Sequence, residues 1–128
     1  MRALLDTHAF LWWGLDEARL SDNARAVIRD GRNEILVSAA SIWEVAIKAS
    51  RGRLDVPPDI ETYVDDRLRL NRWTELPITA RHAIRAAALP RLHGDPFDRV
   101  LIAQAQVESL PILTIDAVIS QYDVETIW

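Results

Sequence analysis

Residues 95–116 read DPFDRVLIAQAQVESLPILTID and predict a helix followed at once by a strand. Asp95 is a favourable N-cap, and Pro96 suits the first position of a helix. The apolar run 111–115 after this helix is typical of a buried strand, and Asp116 follows it directly. The helix is expected to turn one face to the core, formed by Val100, Ala103, Val107 and Leu110.

The same alternation of strand and helix extends over the rest of the chain. Short apolar runs predict strands at 2–6, 35–37, 73–76, 111–115 and 124–128. A short helix or turn is expected over 8–13 and a helical turn over 117–121, and four more helices are expected to begin at Ser21, Ser38, Asp59 and Thr79. No Asn-Gly or Asp-Gly hairpin turn lies between alternating runs. The pattern therefore predicts an α/β fold, a mostly parallel sheet with helices on both faces.

Length and composition narrow the class of protein. A chain of 128 residues with 49 % hydrophobic residues suits one globular domain spanning residues 1–128. There is no cysteine, so disulfides and thiolate metal sites are excluded. No run approaches the roughly 18 apolar residues of a membrane span, and the start of the chain lacks the pattern of a signal peptide. We therefore expect no membrane association and a cytoplasmic location.

The charge is unevenly distributed. The net charge is −4, yet residues 67–99 contain Arg67, Arg69, Arg72, Arg81, Arg85, Arg91 and Arg99. Lys48 is the only lysine among the 15 basic residues. Arginine suits bidentate contacts with phosphate, so the distribution permits an RNA partner. Taken alone, the same arginines are better explained by arginine-rich codon usage and solvated helix faces, so the distribution does not establish an RNA partner.

Four acidic residues occupy the positions at which such a fold would place metal ligands. Asp6 and Asp116 follow predicted strands, whereas Glu44 and Asp98 lie near the starts of predicted helices. In parallel sheets, ligands bind in the crevice outside the carboxyl ends of the strands. Carboxylates gathered in one crevice repel each other unless a cation or a proton compensates. Oxygen ligands suit Mg²⁺ or Mn²⁺, and hydrolysis of a phosphodiester is the chemistry that we expect.

Each acid also has a simpler explanation. Asp6 is a good cap for the helix that follows it, and Asp116 suits the turn after the last strong apolar run. Glu44 forms a capping-box pattern with Ser41, which is weakened if the helix begins at Ser38. It is also spaced for an ion pair with Lys48, which would hold the carboxylate in place. We assign Asp95 to capping and Asp98 to the metal. What favours a site is that all four acids coincide with one edge of the predicted sheet.

Five neighbouring residues are predicted to support the four acids. Arg99 is expected to pair with an acid or with phosphate, and Thr114 to hydrogen-bond a metal-bound water or simply to occupy the strand. His8 is expected to be a turn residue rather than a ligand. His93 is expected to be a solvated loop residue, with contact to phosphate or product as the alternative. The complete supporting set is Thr7, Lys48, Asp95, Arg99 and Thr114.

Four stretches of the chain resemble motifs of a known family. The stretches are Leu4-Leu5-Asp6-Thr7-His8, Ser41-Ile42-Trp43-Glu44-Val45-Ala46-Ile47-Lys48, Asp95-Pro96-Phe97-Asp98-Arg99 with residues 101–105, and Thr114-Ile115-Asp116. In this order they resemble the PIN-domain ribonucleases of the VapC toxin type, over essentially the whole chain. The second and third stretches carry most of the specificity.

The resemblance implies more than the residues alone. It implies a Rossmann-like PIN domain, Mg²⁺ or Mn²⁺ held by Asp6, Glu44, Asp98 and Asp116, and endonucleolytic cleavage of RNA. It also implies a homodimer and a cognate antitoxin, similar to VapB, that covers the crevice.

Two other classes of function compete with this interpretation. A phosphatase of the haloacid dehalogenase type would use Asp6 as nucleophile and a second acid two residues later, where this chain has His8. A catalytically silent module that only binds an antitoxin would not need the four acids.

Trp12, Trp13 and Trp43 exceed the indole content that a small core needs, so we expect at least one of Trp12 and Trp13 to be partly exposed and to contribute to a partner surface.

Overall fold

A computed structural model describes residues 1–128 and contains one five-stranded sheet. The strands are β1 (Arg2–Leu5), β2 (Glu34–Ser38), β3 (Thr74–Leu76), β4 (Ile112–Leu113) and β5 (Thr126–Ile127). The helices are α1 (Thr7–Leu15), α2 (Asp22–Arg29), α3 (Ala39–Ser50), α4 (Ile60–Asn71), α5 (Ala80–Ala88) and α6 (Pro96–Glu108). Short 3₁₀ turns occupy Glu17–Arg19 and Ile119–Gln121. None of the helices has the length and apolar character needed to cross a membrane.

The strands lie in the order β3-β2-β1-β4-β5, and every pair is parallel. The chain moves outward from β1 to β3 on one side and from β4 to β5 on the other. A crevice is therefore expected at the carboxyl ends of β1 and β4, where the strand order reverses. The register sets Leu5 opposite both Val37 and Leu113, so the residues that follow these strands begin at the same level.

Apolar side chains cover both faces of the sheet. Leu5 and Val37 belong to one cluster with α1 to α4, whereas Leu4 and Leu36 belong to a second cluster with α5 and α6. This alternation along β1 and β2 is what a two-sided parallel sheet requires. The predicted α/β class, with a parallel sheet and helices on both faces, is confirmed.

Side-chain caps set the helix starts as the sequence predicts. Ser21, Ser38, Asp59, Thr79 and Asp95 each accept a hydrogen bond from a backbone N–H in the first turn of the helix that follows. The last two strands are shorter than expected, with only two residues each in β4 and β5.

The predicted core face of α6 is partly wrong. Ala103 and Leu110 are buried, but Val100 and Val107 are only half-buried. Fully buried positions instead run consecutively from Leu101 to Ala105. The reason is that α6 packs against both α5 and α3 as well as the sheet, so more than one face of the helix is covered.

Candidate metal centre

Asp6 is the most enclosed of the four acids. It follows β1, is 4 % exposed, and caps α1 by accepting a hydrogen bond from the backbone N–H of Ala9 at 2.7 Å. The Thr114 hydroxyl donates to its other oxygen at 2.5 Å. Burial raises the pKa of Asp6, and the charge of Asp116 adds to the rise, while the two hydrogen bonds oppose it. Capping and membership of an acidic site therefore coexist at this residue.

Glu44 lies in the second turn of α3, because Ser38 rather than Ser41 caps the helix. It is 5 % exposed. The Thr7 hydroxyl donates to Glu44 Oε1 at 2.8 Å, and Lys48 Nζ contacts Glu44 Oε2 at 2.6 Å. The predicted ion pair is therefore present, and it fixes the carboxylate near the start of α1.

Asp98 lies in the first turn of α6 and has no hydrogen-bond donor on its carboxylate. Asp95 caps the helix by accepting from the backbone N–H groups of Phe97 and Asp98. The pKa of Asp98 rises to about 6, first because the carboxyl is buried and then because Asp95, Glu44 and Asp116 are negatively charged. The charges of Glu44 and Asp116 act on Asp98 because acids from α3, α6 and the end of β4 lie in one region.

Asp116 closes the group from the other side of β1. Its backbone N–H donates to the Thr114 hydroxyl at 3.0 Å, and its Oδ1 accepts from the backbone N–H of Val118 at 2.8 Å. Thr114 therefore bonds to both Asp6 and Asp116. The predicted capping of the turn after β4 is present too, and it leaves Asp116 Oδ2 without an internal partner.

The four acids offer only carboxylate oxygens as ligands, and they do not enclose a single ion position. No three acidic or histidine side chains stand close enough together to chelate one ion. Mg²⁺ is commonly held by one or two carboxylates and keeps several waters, so a closed cage is not required. Asp98 offers both carboxylate oxygens and Asp116 offers one. The raised pKa values of Asp6 and Asp98 are the electrostatic sign of a site that a cation would relieve. The donor set therefore fits a hard divalent cation.

The supporting residues divide into two groups. Thr7, Lys48, Asp95 and Thr114 contact the acids or position them. Arg99 does not pair with an acid, so that half of the expectation is wrong, and the contact with phosphate stays a prediction. Its guanidinium donates to the backbone carbonyls of Ala86, Leu89 and Pro90, and so it closes the end of α5.

Two contributions to the site were missed in the sequence. His93 Nδ1 lies 2.9 Å from the Tyr122 hydroxyl, and this contact turns His93 Nε2 toward Asp98 Oδ2 at 3.4 Å. The distance is that of an ion pair, but the alignment does not make a hydrogen bond, so the buried Nε2 has no partner. Ser41 is also buried, and its hydroxyl lies 3.0 Å from that of Thr7. Only the Ser41 position within a family motif offered a signal.

A basic cavity opens beside the start of α6. Its volume is about 480 Å³, and Ala87, Arg91, His93, Gly94 and Arg99 line it. Arg91 is exposed and forms no ion pair with any acid of the chain. Because Asp98 adjoins His93, the cavity places positive charge next to the acidic group.

A parallel sheet that gathers four acids at its switch point defines an α/β domain with an acidic crevice, a class suited to phosphoryl chemistry. The sequence profile of the PIN domain matches residues 3–125, so the chain belongs to the PIN domain family.

Relatives within this family carry the VapC name. The chain is 32 % identical over 114 residues to Ribonuclease VapC22 of Mycobacterium tuberculosis (strain ATCC 25618 / H37Rv), a match that covers 88 % of this chain and 85 % of that protein. It is 44 % identical over 75 residues to Ribonuclease VapC16 of the same organism, covering 59 % of this chain and 50 % of that protein. This second match spans only about half the length of VapC16.

A solved structure has the same fold. The crystal structure of VapBC2 from Rickettsia felis bound to a DNA fragment from their promoter contains a chain that superposes with a TM-score of 0.72. The alignment covers 99 % of this chain and 98 % of that one, at 14 % sequence identity. At this identity the likeness concerns the fold, and the roles of individual residues rest on the geometry given above.

Proposed function

We propose that this chain is a metal-dependent endoribonuclease and the toxin of a toxin–antitoxin pair. One observation carries the proposal: acids far apart in the sequence share a crevice, where burial first, and then the charges of neighbouring acids, raise the pKa of Asp98 to about 6. A fold tolerates such repulsion where a cation or a proton compensates. The VapC ribonucleases among the relatives support RNA as the substrate.

Asp6, Glu44, Asp98 and Asp116 would hold the cation, which is Mg²⁺ or Mn²⁺ in this proposal. When bound, such an ion polarises the scissile phosphate and lowers the pKa of a coordinated water. Asp98 and Asp116 have oxygens free of internal hydrogen bonds, so we assign them direct contacts. The other two carboxylates are already hydrogen-bonded at both oxygens and bind with their remaining lone pairs or through water.

The chain's own residues orient these groups. Thr114 and Thr7 are buried hydroxyls that hold Asp6 and Glu44, and each threonine donates its single proton to one carboxylate. Lys48 balances part of the negative charge of Glu44. Arg91 in the basic cavity would bind the phosphate backbone next to the scissile bond, which positions the RNA without reading its sequence.

The proposed partners follow from the same comparisons. The solved neighbours include VapBC complexes of toxin and antitoxin, which supports a VapB-like antitoxin as partner. We propose that the antitoxin covers the acidic crevice, and that the chain acts as a homodimer. RNA as substrate makes the cytoplasm the proposed compartment.

Cleavage of RNA by the purified chain tests the proposal. We expect single-stranded and structured RNA to be cut internally with Mg²⁺ or Mn²⁺ and not with excess EDTA. Asp98→Asn and Asp6→Asn should abolish cleavage. Asp95→Asn is the matched control, because asparagine keeps the N-cap while removing a neighbouring charge. Cleavage that persists in Asp98→Asn and still depends on the metal would refute the assigned site, and the absence of any metal-dependent cleavage would refute the function.

A further inference from the structure

An aromatic pair joins α3 and α6, the two helices that carry Glu44 and Asp98. Trp43 immediately precedes Glu44 on α3, and Phe97 immediately precedes Asp98 on α6. Their ring centroids are 5.3 Å apart, with the planes at 80° to each other. Trp43 is 61 % exposed, the only tryptophan of the chain among the exposed large hydrophobic residues. The edge-to-face contact therefore orders an indole that remains largely open to solvent.

We propose that Trp43, held by Phe97, stacks one unpaired base next to the scissile phosphate of an RNA substrate. The inference rests on the nuclease activity proposed above and adds a substrate requirement to it. Consecutive Cα atoms are about 3.8 Å apart, so each aromatic residue adjoins an acid of the site. Glu44 and Asp98 also lie near enough for their charges to interact. In the proposed arrangement, the base of a nucleotide bound at the acids reaches the exposed face of Trp43.

The exposed face of Trp43 is large enough for one nucleobase. A tryptophan side chain covers about 250 Å² at most, so 61 % exposure leaves an open area of about 150 Å². An indole face of this size matches a single nucleobase, and stacking of this kind tolerates any base.

The proposal requires an unstacked base. A base inside a duplex already stacks on both sides, whereas a base in a loop or a single strand has a free face. The chain should therefore cut single-stranded regions and spare the same bond in a duplex.

Abasic substitution combined with mutation of Trp43 tests the contact. A single-stranded RNA oligonucleotide cut at one mapped bond is compared with versions that lack one base at each flanking position. For the wild-type chain, one of these deletions should lower kcat/KM about five- to hundredfold. Trp43→Ala should lower kcat/KM on the intact oligonucleotide by a similar factor and should respond little to that deletion. Trp43→Phe, which keeps an aromatic ring, should lie between the two.

Leu70→Ala is the matched control, because Leu70 is a 65 % exposed apolar residue on α4, remote in sequence from the acids. It should keep the full response to base removal. If removing each base lowers kcat/KM by the same factor in Trp43→Ala as in the wild-type chain, the base and Trp43 act independently. The proposal is then wrong. Trp43→Ala that cuts RNA normally but escapes inhibition by an antitoxin would assign the pair to a protein partner and overturn the proposal.

Failure of the nuclease proposal has a separate signature. If the wild-type chain cuts no RNA, quenching of tryptophan fluorescence by the same oligonucleotide with Mg²⁺ measures the contact directly. Quenching that is lost in Trp43→Phe would support the stacking contact while the nuclease activity fails. Quenching that is equal in both chains, or absent from both, would overturn the stacking contact.

Discussion

Removing the charge of Asp98 should stabilise the metal-free protein. In the folded protein the pKa of Asp98 is about 6, above the ordinary value of 3.8 for aspartate, and this difference corresponds to about 3 kcal/mol. A raised pKa means that the folded state binds the proton more tightly than the unfolded state. Below about pH 4 the Asp98 carboxyl is protonated in both the folded and the unfolded state. As the pH rises from about 4 to 6, the unfolded state loses its proton first, so the free energy of unfolding falls. Above about pH 6 the folded protein carries the full unfavourable free energy of the ionised Asp98.

This free-energy difference is an upper value, because the Asp98 side chain remains 19 % exposed and solvent screens its charge. We expect Asp98→Asn to raise the free energy of unfolding by about 1–3 kcal/mol at pH 7 in EDTA. For a chain of this length that is an increase in Tm of roughly 3–12 °C. The gain should shrink to near zero at pH 4, where the wild-type carboxyl is already protonated.

Urea unfolding and thermal scans at pH 4, 5.5 and 7 measure this difference. Asp65→Asn is the control, because Asp65 is an exposed acid on α4 that forms no ion pair and should change stability by less than about 0.5 kcal/mol. An unchanged stability of Asp98→Asn at pH 7 would refute the electrostatic reasoning. An equal gain at pH 4 and pH 7 would show that packing, and not charge, is responsible.

Three further predictions concern the same crevice. Mg²⁺ or Mn²⁺ should raise the Tm of the wild-type chain at pH 7 but not the Tm of Asp98→Asn. The rise should be smaller at pH 5, because the cation must then displace a proton. An equal rise in both chains would place the ion elsewhere. Thr114→Val removes the donor to Asp6 and the acceptor for the Asp116 N–H. The metal affinity measured by calorimetry should therefore fall about 10–100-fold. Thr74→Val, at an exposed threonine, is the neutral control. Arg91→Ala should weaken RNA binding about equally for different sequences and reduce the salt dependence by about one phosphate contact; an unchanged slope would remove Arg91 from the RNA path.

Local chemistry made much of this fold predictable. The caps at Ser38 and Asp95 act within three residues of themselves, so a single sequence contains all the information that they need. The face of α6 was less predictable, because its burial depends on α3 and α5, which pack against it from other parts of the chain. Periodicity describes a helix with one buried face, and α6 has more than one.

The site shows the same division between local and distant information. The positions of the four acids followed from strand ends and family motifs. The contact between His93 and Tyr122 joins residues 29 positions apart, and the hydrogen bond between Thr114 and Asp6 joins residues 108 positions apart. Neither has a local signature. Arg99 illustrates the converse error, since a basic residue beside an acid suggested an ion pair while three nearby carbonyls were the actual acceptors.

The distribution of hydrogen bonds indicates which acid responds most to a cation. Asp6 and Glu44 receive donors at both oxygens, so the protein already compensates much of their charge. Asp98 has only an unaligned His93 at 3.4 Å, while three other acids repel it. Its negative charge is therefore the least compensated of the three. A bound cation would relieve more unfavourable energy at Asp98 than at Asp6 or Glu44, which makes α6 the element whose stability depends most on the occupancy of the site.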